Sequence, residues 1–372
     1  MGRERSMALA IKWLLKSIDK NTGGSRANYS LFWNGLKGWS GPYPETTGYI
    51  IPTFLELSKI SKCNQLKDKA EKMGNWLLTL QFKDGSFPGG IYSGKQREKS
   101  VFNTGQIILG LTELFTTTGR KEFLKSSQLA ADWLVGELDD SGNWLKHNYV
   151  NNFSPSYYTR VVWPILKVAY LTGDPDLKTG AIKAIESILT HRKKNSFISG
   201  SGFKENGPTV LHTLAYTIRG LLESAELLGN QEYYSYAENI SYKILRKFEL
   251  NKRFWGAYYK DFQGVKWYQC LTGNVQMVII WLKIYLKKED PRFLNAAVKA
   301  IDSVAEKQIK SHWNKNLVGA IPGSSPVFGR YMMFRYPNWA VKFFLDAILL
   351  ERKALGKAEE IAKNAVSNTV GV

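Results

Sequence analysis

Four short stretches decide the fold: Thr118-Gly119-Arg120-Lys121-Glu122-Phe123, Thr172-Gly173-Asp174-Pro175-Asp176-Leu177, Leu228-Gly229-Asn230-Gln231-Glu232-Tyr233 and Lys288-Glu289-Asp290-Pro291-Arg292-Phe293. Each follows a strongly apolar helical stretch and precedes an amphipathic one. The preceding stretches are apolar nearly all round. Thr272 to Leu286 (TGNVQMVIIWLKIYL) holds a single charge, the pattern of a helix buried on most sides. The following stretches are one-faced: Tyr233, Tyr236, Ala237, Ile240, Ile244 and Phe248 recur at three- and four-residue spacing, as do Phe293, Ala296, Ala297, Ala300, Ile301 and Val304. The unit is therefore an inner helix followed by an outer helix.

Working outward, inner helices are expected to start near Thr47, Thr104, Thr159, Thr213, Thr272 and Pro337, at steps of 57, 55, 54, 59 and 65 residues. Outer helices are expected near 5–19, 65–80, 121–138, 175–190, 231–248 and 291–309. Twelve helices with six buried ones fit a closed ring better than a flat array. The expected fold is all-α, an (α/α)6 toroid over residues 1–353, with 354–372 as a helix end and tail. The outer-to-inner connections 83–102, 139–157, 191–211, 249–271 and 310–335 are long and rich in Gly, Pro, Asn and aromatics. All lie on the face that holds the inner-helix N-termini, where long loops on a rigid scaffold build sites and helix dipoles are positive.

The 372 residues carry 51 Lys+Arg against 32 Asp+Glu, a net charge of +19. Such a field attracts polyanions or serves solubility alone. With no zinc-finger spacing, RNP-type motif or basic zipper, nucleic acid is not the expected partner. Cys63 and Cys270 form no metal-type pairing. The N-terminus lacks a signal-peptide pattern and no apolar run is long enough to span a bilayer. The expected location is the cytoplasm, with peripheral association at an anionic membrane left open. Neither a cofactor nor a metal is called for, and the oligomeric state is not specified.

The inner-helix starts, set side by side, give a polar ring: Glu45, Asn103 with Gln106, Arg160, His212 with Tyr216, Asn274 with Gln276, and Asn338. Such groups are costly to bury without partners, so they face one another or a ligand. For Asn103 and Asn338 taken singly, helix capping is the simpler role. His212 is the sharpest candidate, with Tyr216 four residues on and hence on the same face. Trp39, Tyr43, Tyr157, Trp267 and Tyr268 are expected to stack on sugar faces, with Trp33 among other mouth aromatics. Segments 38–43 and 322–326 read as mouth or lid.

Several motifs carry a resemblance. Tyr43-Pro44-Glu45-Thr46-Thr47-Gly48-Tyr49-Ile50-Ile51-Pro52-Thr53, Leu211-His212-Thr213-Leu214-Ala215-Tyr216, Gly319-Ala320-Ile321-Pro322-Gly323-Ser324 and Tyr336-Pro337-Asn338-Trp339-Ala340 resemble segments of toroid proteins associated with exopolysaccharide biosynthesis. The ring as a whole is similar to that of polysaccharide lyases, glycoside hydrolases and sugar epimerases. Trp76-Leu77-Leu78 with Gln81-Phe82-Lys83-Asp84-Gly85-Ser86-Phe87 is similar to the Gln/Trp repeat of triterpene cyclases, and Glu137-Leu138-Asp139-Asp140 approaches their acid motif but has Glu first.

The resemblance implies a carbohydrate role without naming a reaction, and with the positive field of the mouth the expectation is a carbohydrate-active enzyme on an acidic polysaccharide or lipid-linked oligosaccharide. Arg160, Asn103, His212, Tyr216 and Glu45 are the expected catalytic set, and proton abstraction of lyase or epimerase type the expected chemistry. Gln106, Asn274, Gln276 and Asn338 join the aromatics as substrate contacts. The alternatives are a glycoside hydrolase using Glu45 with a loop carboxylate (Asp84, Asp140, Glu205 or Asp261), a terpenoid cyclase-like enzyme, and a non-catalytic glycan-binding toroid.

Overall fold

The computed structural model describes residues 2–32, 38–94, 98–149, 152–203 and 207–370. The outer helices are α1 (Gly2–Ser17), α3 (Asn64–Leu78), α5 (Lys121–Gly136), α7 (Pro175–Leu189), α9 (Gln231–Asn251) and α11 (Pro291–Lys307). They alternate with the inner helices α2 (Pro44–Ser61), α4 (Val101–Thr118), α6 (Thr159–Thr172), α8 (Leu211–Leu228), α10 (Leu271–Lys288) and α12 (Asn338–Val370). Neighbouring inner helices pack in chain order, and α12 packs on α2 to close the circle. The fold is the (α/α)6 toroid expected from the repeat. Residues 354–370 continue α12.

The four deciding stretches act as combined stop and start signals. Gly119, Gly173 and Gly229 end inner helices with φ of 71°, 73° and 65°, a conformation that glycine adopts without a Cβ penalty. Asp174, Asn230 and Asp290 then cap the outer helices: Asp174 accepts from the Asp176 and Leu177 N–H groups, Asn230 from Tyr233 and Asp290 from Arg292. Caps of this kind contribute about 0.5–2 kcal/mol each.

The core lies between the rings. Phe293, Ala297, Ala300, Ile301 and Val304 of α11 are buried on one face, whereas α10 is buried from Leu271 to Leu282. Inner helices approach closely where glycine removes a side chain. A Cβ on Gly110 would meet the Gly48 carbonyl oxygen at 2.2 Å, and one on Gly273 would meet the His212 nitrogen at 2.7 Å.

Short strands tie the loops together on the face of the inner-helix N-termini, a feature the all-α reading did not contain. The pairs are β1 (Asn28–Ser30) with β2 (Gly38–Trp39) and β8 (Arg335–Pro337), β3 (Thr209–Val210) with β4 (Ala257–Tyr258), β4 with β5 (Gly264–Val265), and β6 (Gln269–Cys270) with β7 (Ser324–Ser325). Buried loop backbone needs hydrogen-bond partners, and these pairs supply them. Asn28 sits opposite Pro337, so the first connection is fastened to the last.

Candidate active site in the mouth of the ring

Glu45 stands in the first turn of α2, where Pro44 presets the helix, and His212 in the first turn of α8. Both line one cavity of about 330 Å³ at the N-terminal end of the inner ring. Its walls are aromatic: Tyr43, Tyr49, Phe102, Tyr157, Tyr216 and Trp339, with Tyr149, Phe203, Tyr331 and Met332 contributed by loops. The volume is at the small end of ligand pockets, about 300–1,000 Å³. No lysine or arginine is among its described lining residues.

Burial pushes the Glu45 carboxyl up to about 7, against the opposing effects of a Tyr43 hydrogen bond and the Arg160 charge. The Tyr43 hydroxyl lies 2.7 Å from that of Tyr149, a residue largely exposed to solvent. A chain of hydroxyls thus leads along the cavity wall to the buried carboxyl. His212 is moved the other way. Burial first, then the Arg160 charge, lowers its pKa to about 3, so the ring is neutral at pH 7. Its Nδ1 is 2.9 Å from Nε2 of Gln276 on α10. With the amide N–H donating to Nδ1, the ring proton sits on Nε2. Tyr216 and Tyr331 pack on the imidazole, with ring centroids 4.4 and 5.1 Å away.

Of the residues singled out in the sequence, Glu45, His212, Tyr216, Tyr43 and Tyr157 meet in this cavity. The others do not line it. Arg160 lies beneath, its guanidinium 5.0 Å from the Tyr216 ring and 4.8 Å from that of Trp163, because its long side chain reaches down from the helix start. Gln106 is a brace, donating to the Arg160 carbonyl at 2.9 Å and accepting from its guanidinium at 3.0 Å. Asn103 donates to the Pro88 carbonyl, and Asn274 to Gln269 Oε1. Asn338 donates to Ser25 Oγ, the Arg26 carbonyl and Thr46 Oγ1, sewing the ring closure. Gln276 acts through His212. Trp39 packs on Trp13 and Tyr29, and Trp267 lies half exposed on Tyr268, outside the cavity.

The cyclase-like motifs have structural roles. Gln81 donates to the Gly85 and Ser126 carbonyls, and Asp139 accepts from the Ser141 and Asn143 N–H groups of a tight turn. Asp84 pairs with Lys99 and Asp261 accepts from the Gln263 N–H. Neither Asp84, Asp140 nor Asp261 lines the cavity. Trp33 and Glu205 lie outside the described residues. Tyr49, absent from the polar ring read in the sequence, also lines the cavity, and its four-residue spacing from Glu45 places both on the same helix face. Among the described residues, no group of three His, Cys, Asp or Glu is placed to hold a metal ion, and no helix is long and apolar enough to cross a membrane.

The ring, its closure and the loop-built mouth define the class: an (α/α)6 toroid. Solved structures of that class match nearly end to end. An unsaturated glucuronyl hydrolase from Bacillus sp. GL1, responsible for the degradation of glycosaminoglycan, is 14% identical with a TM-score of 0.73, over 93% of this chain and 96% of that one. Cellobiose 2-epimerase from Bacillus thermoamylovorans B4167 is 15% identical with a TM-score of 0.73, over 94% and 98%. An alpha-amylase from Clostridium perfringens is 13% identical with a TM-score of 0.70, over 93% and 97%. Identities this low carry the fold and not the reaction. No protein-family model matches the sequence, and comparison with curated proteins finds no similar one.

Proposed function

We propose that the protein is a carbohydrate-active enzyme that moves a proton next to the carbonyl of a neutral sugar, in the manner of an epimerase or isomerase. One observation carries the reading: a carboxyl poised near pH 7 and an imidazole held neutral share a single-sugar-sized aromatic cavity. The Glu45 carboxylate takes the proton from the carbon beside the carbonyl. The His212 Nε2–H group donates to the carbonyl oxygen and stabilises the enediolate that forms. Return of the proton from Glu45 after the enediolate has turned its other face to the carboxyl, by rotation about the bond to the next carbon, inverts the carbon. Return to the neighbouring carbon isomerises the sugar. The aromatic walls suit the apolar faces of a sugar ring.

The names of the fold's relatives support a carbohydrate substrate, and the cellobiose 2-epimerase among them is in keeping with an epimerase reading. A hydrolase would need a second carboxyl across the scissile bond, and Glu45 is the sole carboxylate among the described cavity residues. An acidic sugar unit would need a cation that these residues do not provide. The polar pair and the tyrosine hydroxyls speak against a terpenoid pocket.

The test is incubation with reducing mono- and disaccharides in D2O, followed by proton NMR. Deuterium entering beside the carbonyl without bond cleavage, and its loss in Glu45→Gln, supports the proposal. Release of a reducing sugar would replace it with hydrolysis, and an unsaturated product would replace it with a lyase.

A further inference from the structure

Below the mouth the lumen opens a second time. A cavity of about 750 Å³ lies on the side where the inner helices end, and Tyr49 lines both it and the mouth. Phe343 belongs to the lower cavity and packs on Tyr49 at 5.5 Å and on Tyr216 at 6.1 Å. These three buried rings form a layer between the two chambers.

Three inner helices each send a cation into the lower chamber: Arg160 from α6, Arg219 from α8 and Lys342 from α12. Arg160 and Lys342 are buried, 4% and 6% exposed, and the three like charges oppose one another. Gathering them in a poorly solvated lumen is costly unless each is matched. Lys342 is matched by Asp346, which also accepts from Thr53 Oγ1 at 2.6 Å. Arg219 is matched by Glu223, although that carboxylate is shared with Lys283 at 2.8 Å.

Arg160 is matched only in part: it feels the Glu223 and Glu45 carboxylates at a distance, and the Trp163 and Tyr216 rings lie against its guanidinium. Among the described residues no carboxylate forms an ion pair with it. Its guanidinium bonds to the neutral amide of Gln106, and its buried Nε has no protein partner. Nor does the helix dipole explain it. A cation complements the last turn of a helix, whereas Arg160 is the second residue of α6. Across the chamber as a whole, six cationic lining residues stand against three lining carboxylates, Glu56, Glu113 and Asp346, while Arg219 and Arg352 find theirs outside the lining in Glu223 and Glu4.

We propose that the lower chamber is a second binding site, distinct from the mouth, for a small anion bearing a phosphate or a carboxylate held by Arg160, Arg219 and Lys342. A guanidinium fork and an ammonium are the donors such oxygens take. Bound there, the anion cancels the charge that Arg160 presents to Glu45 through the aromatic layer, so the two chambers communicate. The site stands whether or not the mouth performs the chemistry proposed above.

The experiment is isothermal titration calorimetry on the full chain with inorganic phosphate and with malonate, at constant ionic strength against chloride. Wild type and Glu45→Gln are expected to bind saturably. Arg160→Met and Lys342→Met are expected to bind at least about tenfold more weakly, the loss of one charge-assisted hydrogen bond. Should Arg160→Met not fold, Arg219→Gln, at a half-buried side chain, makes the same comparison. Binding of phosphate alone assigns a phosphate ester, binding of malonate alone a carboxylate, and binding of both a general anion site. No saturable binding to wild type, or affinity unchanged in the lower-chamber variants, overturns the proposal.

Discussion

Gln276 Nε2 stands 2.9 Å from His212 Nδ1, a side-chain bond between the adjacent inner helices α10 and α8. It selects which imidazole nitrogen carries the proton, so it acts on chemistry rather than on affinity. Gln276→Leu is expected to lower kcat by tenfold or more, on the order of 1.4 kcal/mol, with KM little changed. Steady-state kinetics separates this from a packing defect, which would move the unfolding midpoint without that split.

Tyr43 holds Glu45 down by hydrogen bonding to its charged form. Tyr43→Phe removes that bond, so the carboxyl titrates above the wild-type value of about 7. The acidic limb of the kcat/KM profile is expected to move to higher pH, with activity near pH 7 reduced. A limb that stayed in place would detach Tyr43 from Glu45.

Glu45 and His212 load stability with opposite signs. For Glu45, raised from 4.5 to about 7, the folded state keeps a proton that the unfolded chain releases. Stability from this group is full below pH 4.5 and lost as pH rises to 7. Glu45→Gln is therefore expected to gain on wild type across that window, by about 3 kcal/mol at most. For His212, lowered from 6.5 to about 3, the unfolded chain takes the proton first. That contribution is full above pH 6.5 and lost as pH falls, so His212→Gln flattens the acid side of the curve. Denaturant unfolding from pH 4 to pH 8 reads both slopes, and slopes of the same sign would contradict the burial of one of the pair.

At Gly273 a methyl group would press on the backbone nitrogen of His212 at 2.7 Å. Gly273→Ala is expected to destabilise by about 1–3 kcal/mol and to lower activity further by shifting the start of α8. Unfolding and turnover, measured on the same preparation, separate the two effects.

The ring was legible because its signals are local. A stop at Gly119 or Gly173 and a cap at Asp174 or Asp290 depend on a few neighbouring residues. Inner and outer helices differ in periodicity over fifteen residues. The strand pairs were not legible, since Asn28 and Pro337 meet only once the ring has closed. Within the site, Glu45 and His212 followed from standing at inner-helix starts. Which way each helix is turned did not follow. Rotation sends Gln106 and Asn338 to their neighbours, while the length of Arg160 carries its charge past Tyr216. Tyr331 and Met332 reach the mouth from a long loop whose path no periodicity records.

The layer made by Tyr49, Tyr216 and Phe343 means that the toroid is not a ring through which a polymer can be threaded. Whatever enters the mouth leaves by the same door, head first in and tail first out. A chain that entered the mouth could not pass on through the floor into the lower chamber.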